Sequence, residues 1–252
     1  MPLLYYRAPV GHSAKTLITL AEKGISFQSR LIEPPALEPH AATIRSISPS
    51  GSLPVFVDDD GTGLAESSAI GEYLDETRPT FRLMPEDPIG RWRARVWFKV
   101  VNEDLAPAVA ILAWSAWRVP TLGSDEREYL TAAAEAIPAL DRRRYWQEGL
   151  AGFTPSRLEA AQAKVRGVIN LVEKQLTQSA YLAGSRYSLA DIDVWPFMEP
   201  LPRLLPDIVG ETFTPHLTAW TERIAARPAV IAATRGARDS DWVLGPEPIR
   251  WG

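Results

Sequence analysis

Three short stretches of this 252-residue chain stand where a helix or strand begins, and two of them set hydroxyl, imidazole or carboxylate groups there. In the first, Gly11-His12-Ser13 closes a loop, and Ser13 opens a run carrying Leu17, Leu20 and Ala21 at helical spacing. A serine there can cap the helix, or hydrogen-bond an anion that the helix end attracts. In the second, Glu66-Ser67 stands at the mouth of another helix. Its N-terminus favours an anion, Ser67 can donate to a carboxylate and Glu66 can accept from an ammonium; a plain N-cap by Ser67 or Ser68 is the alternative. In the third, Leu53-Pro54 opens a strand, the bland meaning of which is an edge-strand proline. The chain has no cysteine, so any sulfur chemistry needs a thiol brought in by a substrate. His12, His40 and His216 lack the spacing of a metal site, and no metal is expected.

The elements that must position these residues follow from pattern. Leu3-Leu4-Tyr5-Tyr6 reads as a strand, and a helix runs from Ser13 to Gly24, which ends it in the C′ position. Residues 25–32 alternate as a second strand, Pro34, Pro35 and Pro39 force an irregular stretch, and 41–47 is a brief helix. Leu53 to Val57 and Gly63 to Ala65 are strands joined by the turn Asp58-Asp59-Asp60-Gly61, and a helix covers Ala69 to Glu76. The proline-rich 80–88 is a linker, after which strand signals stop. Helices are expected over 89–117, with Trp92, Val96, Val100 and Leu105 giving the rhythm, then over 124–147, 155–176, 188–205 and 214–226. The predicted division is 1–79 α/β, 80–88 linker, 89–238 all-helical and 239–252 a tail.

The element order, Leu53-Pro54, Glu66-Ser67 and the capping box Ser188-Leu189-Ala190-Asp191 together resemble the soluble glutathione transferases. Gly11-His12-Ser13-Ala14-Lys15, Tyr187 to Ile192 and Arg223 to Ala229 look more narrowly like the bacterial glutathione-dependent β-etherases, which cleave aryl ethers in lignin-derived dimers. The resemblance implies a thioredoxin-like N-terminal domain that binds glutathione, and an all-α C-terminal domain that binds an aromatic, hydrophobic acceptor. It implies that Glu66 and Ser67 hold the γ-glutamyl end, and that a cis bond before Pro54 turns Leu53 toward glutathione's cysteinyl backbone. His40 would meet the glycine carboxylate, unless it is a solvated loop histidine. Ser13 would stabilise the thiolate. A free thiol titrates near pH 8.5, and lowering this by roughly two units takes about 2.7 kcal/mol. His12 departs from the asparagine of related etherases and would support the thiolate or the leaving group, or stand by. Tyr5 and Tyr6 are rival hydroxyl donors, read first as core or wall residues. Ser52 departs from a common glutamine. Trp114 and Trp117, with Leu112 and Tyr145, are placed near the acceptor pocket.

Bulk properties fit this reading. Apolar residues at 46% and charged residues at 23% describe a globular chain, and a net charge of -4 argues against nucleic-acid binding. The Arg142-Arg143-Arg144 cluster reads as a solvated helix face. Apolar runs are interrupted before about 18 residues and the first residues lack a signal-peptide core, so a cytoplasmic protein without a membrane span is expected. A homodimer is expected, with a heterodimer possible. The rival functions are conjugation, dehalogenation or isomerisation on the same thiol, or a non-catalytic ligand carrier or heterodimer partner.

Overall fold

Alternation along the first strand dictates how the sheet is covered. In this computed structural model, which describes residues 1–32, 37–78, 80–135, 137 and 140–238 without the side chains of 37–41, 142 and 236–238, β1 is Leu3–Tyr6. Successive side chains point to opposite faces. Leu4 packs with Leu17 and Leu20 of α1 (Gly11–Glu22) and with Ile70 and Leu74 of α3 (Ser67–Thr77). Tyr5 packs on the other face with Ile44 of α2 (Leu37–Ile47). The strand order is β2-β1-β3-β4: β2 (Gln28–Leu31) runs parallel to β1, while β3 (Val55–Val57) and β4 (Gly63–Ala65) add antiparallel. The β1-α1-β2 unit is the crossover that parallel pairing demands.

Local chemistry explains the boundaries. Gly24, at φ +63, ends α1 in a Schellman motif, its N–H donating to Ala21 O and that of Ile25 to Leu20 O. The Asp58 to Thr62 turn forms as expected, with Asp58 accepting from the Tyr73 hydroxyl and the Arg78 guanidinium at 2.6 Å each. At the far end of α1, Lys23 pairs with Asp75 of α3 at 3.0 Å, both side chains wholly buried. Asp75 also accepts from the amides of Leu83 and Met84, so the proline-rich segment is anchored to both helices.

The helical part departs from expectation in detail. The pattern over 89–117 is α4 (Pro88–Val100) and α5 (Ala106–Ala113), joined and followed by π-helical turns at Val101–Leu105 and Trp114–Arg118. Its buried side is Ala94, Trp97, Phe98, Val101 and Leu105; Trp92 and Val96 face outward, so that part of the expected rhythm marks the wrong face. The region 124–147 is two helices, α6 (Ser124–Glu135) and α7 (Leu140–Ala151), and Gly149 lies inside α7. The α8 helix (Pro155–Leu176) matches expectation and buries Ala161, Val165, Val168, Ile169 and Val172. The stretch 188–205 divides into α9 (Leu189–Met198) and α10 (Leu201–Leu204), and α11 is Pro215–Ala225. A further helix, α12 (Pro228–Arg238), was not foreseen as an element. The expected tail 239–252 lies outside the described residues.

The two parts share a core. Ala14 and Ile18 of α1 belong to the cluster built around the helical part. Arg227 forks onto Glu22 with bonds of 2.6 and 2.9 Å and stacks 3.7 Å over the Tyr187 ring, tying the α11–α12 joint to α1.

Candidate functional site

The first turn of α1 is uncapped. Val10 occupies the N-cap with extended backbone and offers no side-chain oxygen. The helix therefore begins earlier than the sequence suggests, and Ser13 is its third residue instead of its cap. Ser13 is fully buried, and its Oγ has no hydrogen-bond partner among the described residues. Leaving a buried hydroxyl unsatisfied costs on the order of 1–3 kcal/mol, which an anionic acceptor would relieve. An acceptor can reach it only by displacing the atoms that cover it. His12, half-buried, is beside it in sequence; its Nδ1 lies 3.3 Å from Ser67 Oγ and its ring meets Phe197 edge-on at 5.0 Å.

The start of α3 is the second feature. Glu66 is the N-cap and adopts φ 76, a left-handed conformation that a non-glycine residue holds at a cost of about 1–3 kcal/mol. Its side chain does not cap the helix. Ser67 and Ser68 do not cap it either, and their hydroxyls turn toward α1 and α9. Lys15 Nζ donates to Ser68 Oγ at 3.2 Å and to Ser67 Oγ at 3.4 Å, and lies 2.8 Å from Asp193 Oδ2 of α9. Ser68 donates to Asp193 Oδ1 at 2.8 Å. Burial raises the Asp193 carboxyl above its ordinary value, while the charge and hydrogen bond of Lys15 and the Ser68 hydroxyl pull it back. His12, Lys15, Ser67, Ser68 and Asp193 thus form one cluster. Ser67 stands out in the sequence by its place at a helix start, and His12 as a departure from the asparagine of related etherases. Lys15 and Asp193 carry no such signal, since their pairing is a product of the tertiary fold.

The Leu53–Pro54 peptide is cis, as the resemblance implies, and Pro54 is buried just ahead of β3. The Ser52 hydroxyl is used within its own turn, 2.6 Å from Ser50 Oγ, and its amide donates to Ser48 Oγ at 3.1 Å. The side chain of His40 lies outside the described residues. Tyr5 and Tyr6 serve the two sheet faces as core and wall residues.

The aromatic group proposed for the acceptor is mostly core. Trp114 has no exposed surface: its indole meets Trp146 edge-on at 5.7 Å, and a Cβ placed on Gly149 of α7 would fall 2.7 Å from its Nε1. Close packing against α7 leaves Trp114 no surface to present, so it can stand near an acceptor pocket only behind the residues that line it. Tyr145 is likewise buried, tilted against Phe153 at 5.4 Å. Trp117 keeps a half-exposed face, with the Arg203 guanidinium 5.0 Å from its ring centre. Arg7, just after β1, lies 5.9 Å from the Trp146 ring centre. Among the described residues no cluster of three or more histidine or acidic side chains could hold a metal ion, and no helix is long and apolar enough to cross a membrane.

A four-stranded mixed sheet with an uncapped α1 and a strained turn into α3, followed by helices alone, defines a class. Residues 11–77 match the glutathione S-transferase N-terminal domain and residues 150–228 the C-terminal domain. Protein LigF of Sphingobium sp. strain SYK-6 is 33% identical over 235 residues, 90% of each chain. The chain belongs to the glutathione S-transferase family. The crystal structure of β-etherase LigF from that strain superposes with a TM-score of 0.83 at 30% identity, covering 93% of this chain and 99% of LigF. The disulfide-bond oxidoreductase YfcG of Escherichia coli K12 is 25% identical, with 94% of this chain and 96% of YfcG covered. A theta-class transferase from Xanthomonas axonopodis pv. citri, solved with glutathione bound, shares the fold at TM-score 0.70 and 21% identity, covering 92% and 96% of the two chains.

Proposed function

We propose that the protein binds glutathione as co-substrate and uses its thiolate to open β-aryl ethers of lignin-derived aromatic compounds. The likeness to LigF supports the substrate class, and the observation that carries the chemistry is the unsatisfied Ser13 hydroxyl in the first turn of an uncapped helix beside His12 and Ser67. In this reading Glu66 accepts from the γ-glutamyl ammonium and Ser67 donates to its carboxylate. Leu53, ahead of Pro54, pairs with the cysteinyl backbone, and His40 meets the glycine carboxylate. Ser13 donates to the sulfur, and the α1 dipole adds to the stabilisation of its charge. The sulfur then bonds to the β carbon as the carbon–oxygen bond breaks, the electron pair leaves on the aryl oxygen, and the phenolate takes a proton from water. Holding nucleophile and acceptor together supplies much of the acceleration.

The burial of Ser13 favours one variation, in which half-buried His12 supports the thiolate or the leaving group. Trp117 is the aromatic best placed for the acceptor, with Tyr145 and Trp114 behind it. A second copy of the chain is the expected partner, and the protein is expected in the cytoplasm. The test is product analysis with a β-aryl ether dimer and, in parallel, a halogenated aromatic. A glutathione thioether and a free phenol are expected from the ether, with about a twentyfold loss near neutral pH in Ser13→Ala, the fall in thiolate fraction that a two-unit thiol shift produces there. Turnover of the halide alone would replace ether cleavage by general conjugation, and an unchanged Ser13→Ala would remove the serine from the mechanism.

A further inference from the structure

The Lys15–Asp193 pair is an ammonium and a carboxylate withdrawn from water at the junction of α1, α3 and α9, with side-chain exposures of 2% and 4%. Such a pair seldom stabilises a fold beyond what packed apolar groups would give, because desolvation offsets the attraction. Its surroundings suggest what it contributes instead. An ammonium can only donate hydrogen bonds, so both serines it touches must accept from it. Ser68 donates its own hydroxyl hydrogen bond to Asp193 Oδ1. Ser67, 3.4 Å from the same ammonium, must aim its proton elsewhere: toward His12 Nδ1 at 3.3 Å, or toward a ligand carboxylate.

We propose that Lys15 and Asp193 are positioning residues for glutathione, holding the Ser67 hydroxyl as an outward donor and placing a positive charge behind the carboxylate it binds. The inference rests on the reading of Ser67 as the γ-glutamyl contact. It makes affinity for glutathione depend on a residue of the helical part. Asp193 holds the ammonium in place from α9, and Ser68 holds Asp193.

The test compares wild type, Lys15→Met and the double variant Lys15→Met/Asp193→Leu by calorimetry with glutathione, thermal melting, and turnover at saturating glutathione. Lys15→Met strands a buried carboxylate and is expected to melt lower; the double variant replaces the pair by apolar groups and recovers the melting temperature. Glutathione affinity is expected to fall about tenfold or more in both, as for loss of a charge-assisted contact. Turnover at saturation should stay within about threefold, because the thiol site is intact. Recovery of affinity together with melting temperature in the double variant would show a purely structural pair and overturn the proposal. A wild type that gives no heat with glutathione would remove the reading of Ser67 and this inference with it. A wild type that binds, with a double variant that binds equally well, would remove the inference alone.

Discussion

Asp191 shows how much a single buried carboxylate can govern. It receives the amides of Leu182 and Ser188, the Ser188 hydroxyl and the Trp220 indole N–H, at 2.9 to 3.0 Å. Burial pushes its carboxyl from 3.8 up to about 6, against the lowering effect of those four donors. Because the folded value exceeds the unfolded one, the stability linked to this proton is complete below pH 3.8 and is lost as pH rises through about 6. Asp191→Asn does not titrate. The stability advantage of wild type over Asp191→Asn should therefore shrink by on the order of 3 kcal/mol between pH 4 and pH 7, read by denaturant unfolding at both. A constant or growing advantage would contradict the assignment. This carboxylate was legible, since Ser-x-x-Asp before an apolar run announces a capping box. Ser67 and Glu66 were picked out at the start of a helix, but the capping such a place suggests is absent and the Ser67 hydroxyl turns to Lys15 and His12 instead. Lys15 was not picked out: a lysine one turn into an amphipathic helix reads as surface, and only the fold reveals the carboxylate that lets it be buried.

At the scale of elements, the meeting of α5 and α7 depends on a glycine. Trp114, at the end of α5, packs its indole directly on Gly149, so the two helices approach as closely as an absent side chain allows. Gly149→Ala is expected to lower stability by about 1–3 kcal/mol through overpacking, although alanine is the better helix former. A melting temperature equal to or above that of wild type would show that the contact relaxes freely. The α8 helix was readable because its apolar residues recur on one face over many turns. The α4 face was misread, because an exposed tryptophan and valine sit at the same period as a buried face. The division between α6 and α7, with Pro138 between them in the sequence, was passed over because the apolar pattern resumes on both sides.

For the whole molecule, the misread face bears on the proposed dimer. Ile89, Trp92 and Val96 lie on one side of α4 with 58%, 61% and 39% of their surfaces exposed. Three large apolar side chains in a row are costly to leave in water, and covering them with a second copy of the chain would remove that cost. Light scattering should show a dimer for wild type and a monomer for Trp92→Glu; a monomeric wild type would refute the assembly. The broad architecture, a mixed sheet followed by helices, was visible from strand signals that stop at the proline-rich segment. How the two parts interlock through Lys15, Asp193, Glu22 and Arg227 was not, since each contact joins distant segments.

The ultraviolet absorbance of the bound thiolate as a function of pH reads directly whether a sulfur atom is held, ionised, beside Ser13. With glutathione on wild type, the midpoint should lie roughly two units below the free-thiol value near 8.5, and it should return toward that value in Ser13→Ala. Bound glutathione that titrates on wild type like the free thiol would contradict the account.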